Sequence, residues 1–238
     1  MISTPGIVLH TTPYGDTSVI VKVFTRQLGV QPYIIKGVRG RNAKVKQNLL
    51  QPLSCLDMVV YDNPKSELNY VKELSPRHNE SLEQSSNLAI THSLRFFMTE
   101  VLYKSLQEAE PMPALYDYVD GINSQLSALN AQFPITFLLS VARHLGIEPL
   151  DNYCTREPLF DIQEGSFVSA PTETTLSNDL SAMLHEYLLS AHSQSLTLAP
   201  FPLQQRTALL NALLDYYHLH LASFHNFHSH EILHTILK

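Results

Sequence analysis

The sequence predicts an α+β fold: a small five-stranded β-barrel followed by an all-helical domain. Two patterns predict it. Through the first 80 or so residues, short β-branched and aromatic runs alternate with turn residues, and from Ser85 onward apolar residues recur at helical spacing. Charge inverts at the same place. Residues 1–80 carry ten Lys/Arg and six Asp/Glu, whereas residues 81–238 carry six and sixteen. The net charge of −6 therefore hides a segment of +4 and one of −10. Two domains with different partners are expected, 1–80 and 81–238.

The strands come first. Gly6–Thr12, Ser18–Thr25 and Val30–Val38 are separated by Pro13-Tyr14-Gly15-Asp16 and Gln27-Leu28-Gly29. Leu53–Tyr61 and Glu67–Leu74 follow, flanking Asp62-Asn63-Pro64. The OB-fold is the commonest five-stranded barrel of this size, and an SH3-like barrel shares its periodicity. The helical part begins with Leu88, Leu94, Phe97, Met98, Val101 and Leu102 on one stripe. Pro111 and Pro113 close that helix and open a second, Ala114–Leu129. A third, Pro134–Leu145, stops at Gly146 with Pro149 beyond. An irregular insertion is expected at about 147–175, with a hairpin over Leu159–Val168 turning at Glu164-Gly165. Helices resume over Ser177–Ser195, Pro202–Ala222 and Ser229–Leu237.

Composition excludes several classes. With 44% hydrophobic and 16% charged residues the chain is a folded globular protein. Met1 to Gly6 carry no basic n-region, and no apolar run approaches the roughly 18 residues of a membrane span, so a cytoplasmic location is expected. The two cysteines, Cys55 and Cys154, cannot build a Cys-only zinc site. No Walker loop, dinucleotide glycine fingerprint or nucleophile elbow is present, and no cofactor is expected.

A basic window stands out. Between Asp16 and Asp57 there is no acidic residue, and the window holds Lys22, Arg26, Lys36, Arg39, Arg41, Lys44 and Lys46. Five of these lie in Lys36–Lys46, a Gly-containing stretch too polar for a core. Such a loop can follow a phosphate backbone without demanding one geometry. In Ser18–Thr25, Val19, Val21 and Val23 alternate onto one face, with Lys22, Phe24 and then Arg26 on the other. Cations beside a ring suit single-strand binding; the plainer alternative is a core Phe24 with solvated cations. Gly37–Gly40 matches a KH-type Gly-x-x-Gly, but it follows a strand instead of joining two helices.

Six of the twelve histidines lie between His218 and His234, and His230-Glu231-Ile232-Leu233-His234 is an H-E-x-x-H sequence. On a helix that spacing offers two imidazoles to zinc and a Glu as general base. Against a zinc hydrolase, only Thr235 to Lys238 remain to supply a third ligand. The alternative is a short amphipathic helix burying Ile232, Leu233 and Ile236. The cluster is also a candidate anion patch that charges as pH falls through about 6.5.

Three runs, Gly6–Thr25 (GIVLHTTPYGDTSVIVKVFT), Tyr33–Gly40 (YIIKGVRG) and Leu49–Tyr61 (LLQPLSCLDMVVY), resemble the N-terminal domain of RecO recombination-mediator proteins. Glu100–Val119, Phe137–Pro149 and Leu209–Phe224 resemble the helical domain of the same family in its Bacteroidetes-type form. The resemblance spans nearly the whole chain. It implies an N-terminal OB-fold, no enzymatic activity, and binding and annealing of single- and double-stranded DNA. It also implies partnership with RecR and with the C-terminal tail of the single-stranded-DNA-binding protein SSB, to load RecA near the nucleoid. The implied DNA- and RecR-binding positions are Lys36, Arg39, Arg41, Lys44 and Lys46, the same ones that charge singles out. For the acidic SSB tail the position chosen is Arg143. Some members carry a four-cysteine zinc motif. Cys154 stands alone there, so no metal is expected and Tyr153–Val168 reads as the remnant of that insertion. A protein-only interaction module remains the third reading.

Overall fold

In the computed structural model, residues 1–39, 45–61, 66, 68–77, 88–106, 110–126, 129–192 and 200–229 are described. Alternating valines and isoleucines build β1 (Ile2–Tyr14), β2 (Ser18–Thr25), β3 (Gly29–Ile35), β4 (Cys55–Val60) and β5 (Asn69–Pro76). These close into a barrel in the order β1-β2-β3-β5-β4. Every pairing is antiparallel except β3 with β5, which is parallel. This is the expected OB-like barrel. Val8, Val19, Val21, Val23, Tyr33, Ile35, Leu56, Met58 and Val60 fill it.

Strand β1 runs longer than its apolar pattern suggests because it has two partners. Ile2–Ile7 pairs with β4, and Gly6–Tyr14 pairs with β2, with a register shift between Val8 and His10. Gly6 belongs to both ladders. A Cβ there would stand 2.5 Å from Val23 Cγ1 and 2.8 Å from Met58 Cε. Only glycine lets the strands approach this closely at the barrel corner.

Two compact units make up the chain, Met1–Ala128 and Leu129–Lys238. In the first, α1 (Leu88–Ser105) and α2 (Pro113–Asn123) pack on the outside of the barrel. The end of α2 is fastened there: Asn123 Nδ2 donates to Leu53 O at 2.8 Å. Leu53 is fully buried with φ of 60°, a backbone conformation unusual for a branched side chain. The second expected helix reaches only Asn123, with Ser124 as its C-cap.

In the second unit, α3 (Phe133–Leu145), α4 (Asn178–His192) and α5 (Leu203–His220) pack on one another. Gly146, with φ of 74°, caps α3 as its sequence predicts. Tyr217 OH donates to Leu138 O at 2.6 Å, and Tyr187 OH to Gln132 Oε1 at 3.0 Å. The expected hairpin is β6 (Leu159–Asp161) and β7 (Ser166–Val168), with Phe160 and Phe167 buried edge to face. The expected helix over Ser229–Leu237 lies almost entirely outside the described residues.

A buried carboxylate ties the insertion together. Asp161 accepts hydrogen bonds from Gln163 N, Glu164 N, Thr172 Oγ1 and Thr174 Oγ1. Burial by itself would raise its pKa, but these donors together hold it below the ordinary carboxylate value. Asn152 makes a second tie, donating to Phe167 O and accepting from Phe167 N, both at 2.8 Å.

Gly6→Ala should destabilise the barrel by about 1–3 kcal/mol, because Val23 is stiff and cannot retreat; a shift in the urea midpoint measures it. Asp161→Ala should cost about 2 kcal/mol or more by stranding its donors. With its folded pKa depressed, Asp161 stabilises fully above its unfolded value of about 3.9 and loses that contribution as pH falls through the folded value. Melting temperatures on acidification should therefore fall more for the wild type than for Asp161→Asn.

Candidate nucleic-acid interface

The outer face of β2 is not a solvent surface. Phe24 is fully buried, and its ring meets Tyr116 of α2 edge-on with centroids 5.6 Å apart. This corrects the expectation that Phe24 offers its ring to a base: helix α2 occupies that place. Lys22 lies 4.8 Å above the ring of Tyr103 on α1. Arg26 grips Asp117 of α2 with Nε and Nη2, at 2.7 and 2.9 Å. That hydrogen bond holds the Asp117 carboxyl below its ordinary range. Burial pushes the Tyr116 phenol far above its ordinary value, and its hydroxyl has no partner among the described residues. Lys22, Phe24 and Arg26 therefore form a seam on which two helices dock.

Three exposed cations, Lys36, Arg39 and Lys46, belong to the loop that follows β3. After β3, Gly37 takes φ of 69° and redirects the chain. The N–H groups of Val38 and Arg39 both donate to Thr17 O, at 2.9 and 3.1 Å, seating the start of the basic loop on the β1–β2 turn. Arg39 Nη1 donates to Gly15 O at 3.2 Å, and the residue remains exposed. The loop returns through Val45 and Leu49, which pack against the barrel core, and Thr11 Oγ1 donates to Leu50 O at 2.9 Å. Lys36 and Lys46 are exposed. Arg41 and Lys44 lie outside the described residues. Beside Arg39 is a cleft of about 450 Å³, lined by Thr11, Pro13, Val19, Gln47 and Pro52 among others.

The barrel also carries exposed rings that sequence reasoning missed. Tyr14, Tyr61 and Tyr70 are 48%, 47% and 43% exposed. Val60 pairs with Val71, which sets Tyr61 opposite Tyr70 on the outer face, with Tyr61 N donating to Tyr70 O at 3.0 Å. Lys36 Nζ lies 4.7 Å from the centroid of the Tyr70 ring. At an exposed site such a contact is worth only about 0.5–1 kcal/mol, so the ammonium is easily drawn away by a phosphate. Parity along β4 and β5 was the available signal, but it needs the register, which composition does not supply.

In the second unit Arg143 is engaged internally. Its Nε and Nη2 chelate Glu148, the shortest contact being 2.6 Å, and Nη1 donates to Ala191 O at 3.3 Å. His218 Nδ1 lies 3.0 Å from Phe224 O and 3.2 Å from His225 Nδ1, at the turn after α5. His230, Glu231 and His234 fall outside the described residues. Among the described residues no group of three or more His, Cys, Asp or Glu could hold a metal. No helix among them is long and apolar enough to cross a membrane.

Residues 1–79, which include the whole barrel, match the family model described as Recombination protein O N terminal; residues 93–229 match the one described as Recombination protein O C terminal. The chain belongs to the RecO family. It is 29% identical over 225 residues to the DNA repair protein RecO of Phocaeicola vulgatus, covering 93% of this chain and 92% of that one. It is 25% identical over 240 residues to the DNA repair protein RecO of Azobacteroides pseudotrichonymphae, covering 99% of each. The corresponding protein of Flavobacterium johnsoniae is 28% identical over 240 residues, covering 100% of this chain and 99% of its own. Neither family model indicates an enzyme, and the relatives are named as DNA repair proteins.

Since Phe24 is a packing residue in this RecO-family barrel, Phe24→Ala should cost about 3–5 kcal/mol. Tyr116→Phe, which removes only an unpartnered hydroxyl, should be neutral or slightly stabilising. Denaturant midpoints of the two variants check this.

Proposed function

We propose that this RecO-family chain is a DNA-binding mediator of recombinational repair, that the basic loop of its barrel grips the phosphate backbone, and that it anneals complementary strands. The observation that carries this reading is the clustering of Lys36, Arg39 and Lys46, all exposed, in a loop seated on the β1–β2 turn within a window free of acidic residues. Arg41 and Lys44 belong to the same loop in sequence and are included in the proposal. Lys22 and Arg26 keep part of their surface but already hold Tyr103 and Asp117, so they are assigned a secondary part. Annealing asks for no catalytic residue. Cations that cover phosphates reduce the repulsion between two strands and leave base pairing to proceed.

The nucleic-acid-binding domain in this reading is residues 1–80, and the helical domain is residues 81–238. The resemblance to RecO mediators supports RecR and the SSB tail as partners, action on double-stranded as well as single-stranded DNA, and recombinase loading at the nucleoid. If the SSB tail uses Arg143, its carboxylates must displace Glu148 from the guanidinium.

Polarisation of a labelled single-stranded oligonucleotide between 50 and 200 mM salt tests the proposal. Five single-strand contacts give a log–log slope of about −3.5, a loss of roughly 100-fold across that range. Arg39→Ala with Arg41→Ala should flatten the slope by about one to two units and weaken binding to all sequences alike. A wild-type slope in the double variant would overturn the site. A chelator should leave binding unchanged, and loss of binding would favour the zinc alternative.

A further inference from the structure

We propose that Tyr61 and Tyr70 form a stacking platform for unpaired bases, so that the barrel distinguishes single strands by their bases as well as by their charge. This inference rests on the reading of the barrel as a DNA-binding domain, and it assigns that domain a second kind of contact. Three observations carry it. The two rings are cross-strand neighbours at the ends of β4 and β5, on the outer face, and close to half of each side chain is open to solvent. Their neighbours Val60 and Val71 pair with each other and pack against the barrel core, beside a register shift between Val59 and Val60, so the two rings are directed outward. Lys36, the first cation of the basic loop, already reaches the face of Tyr70.

The parts fit the two halves of a nucleotide. Tyr70 pairs with Ile34, two residues before Lys36, so a ring and a cation issue from adjacent strands. When a phosphate approaches, the Lys36 ammonium exchanges a modest cation–π contact for an ion pair, and the ring face it covered becomes available to the attached base. Stacking is tolerant of sequence because every base has a π-face, but it requires the base to be out of a duplex. The platform therefore favours single strands over double strands, a preference that the cations alone do not create. Two exposed tyrosines could instead meet an apolar partner surface, and the experiment separates the two.

The full chain is titrated with a labelled oligothymidylate and with a strand of equal length in which abasic sites replace the bases, leaving the phosphates unchanged. The wild type should bind the base-bearing strand at least about tenfold more tightly, the low end of what one or two stacked bases contribute. Tyr61→Leu with Tyr70→Leu keeps apolar area without a π-face. It should bind both strands with the affinity the wild type has for the abasic one, at an unchanged salt slope. Tyr61→Phe with Tyr70→Phe should retain the preference, and it guards against a loss caused by poor folding. Equal wild-type affinity for the two strands, or a leucine variant that keeps the preference, would overturn the platform while leaving the electrostatic site standing. Absence of salt-sensitive binding to either strand would overturn the DNA-binding reading, and the platform with it.

Discussion

Strand β1 must satisfy two partners, and Gly6 is where it passes closely between them. At that residue the chain is in register with Leu56 on one side and Thr25 on the other, and Val23 and Met58 press against it. With β1 shared between β2 and β4, the remaining edges of β3 and β5 meet in parallel and the sheet closes. Closure leaves no free edge, and it also sets what each outward side chain faces. Tyr61 and Tyr70 become neighbours through the β4–β5 register. The basic loop is delivered to the β1–β2 turn because β3 ends beside it.

The same closure creates a second apolar surface on the outside of β1 and β2. Ile7, Leu9 and Phe24 are buried although they lie on the opposite face from the core valines. Helices α1 and α2 cover that surface, and ion pairs at its margin hold α2: Arg26 with Asp117 and Arg77 with Asp120, Arg77 also reaching Asp57 of β4. Exposed ion pairs of this kind contribute little to stability and more to where a helix sits. Their consequence for function is subtractive. Cations that hold helices are less available to phosphates, and the open positive surface contracts toward the loop that carries Lys36, Arg39 and Lys46.

The loop-rich segment between α3 and α4 is ordered by side-chain ties. Asp161 gathers four donors from two turns, Asn152 bridges to β7, and Tyr153 stacks on His185, which itself lies 2.6 Å from Asp151. A buried carboxylate surrounded by donors is a directional tie. Here such ties act together with the edge-to-face Phe160–Phe167 pair.

The barrel, the helices, the cap at Gly146 and the hairpin at Gly165 were legible in the sequence, because periodicity and turn chemistry are local properties written within a few residues. The basic loop was legible too, since a run of cations without acids needs no fold to be noticed. The fate of individual side chains was not. Alternation correctly put Lys22, Phe24 and Arg26 on the outer face of β2, but whether that face meets water or a helix depends on α1 and α2, which start some 60 residues or more after β2 ends. Likewise Arg143 is engaged by Glu148 and the Ala191 carbonyl, the latter 48 residues away in sequence. The neighbouring of Tyr61 and Tyr70 required a register that only strand pairing sets. The sequence by itself determined which elements form and where positive charge is concentrated. Only the tertiary structure decided which of those charges and rings remain open to a ligand, because exposure depends on contacts between segments distant in the chain.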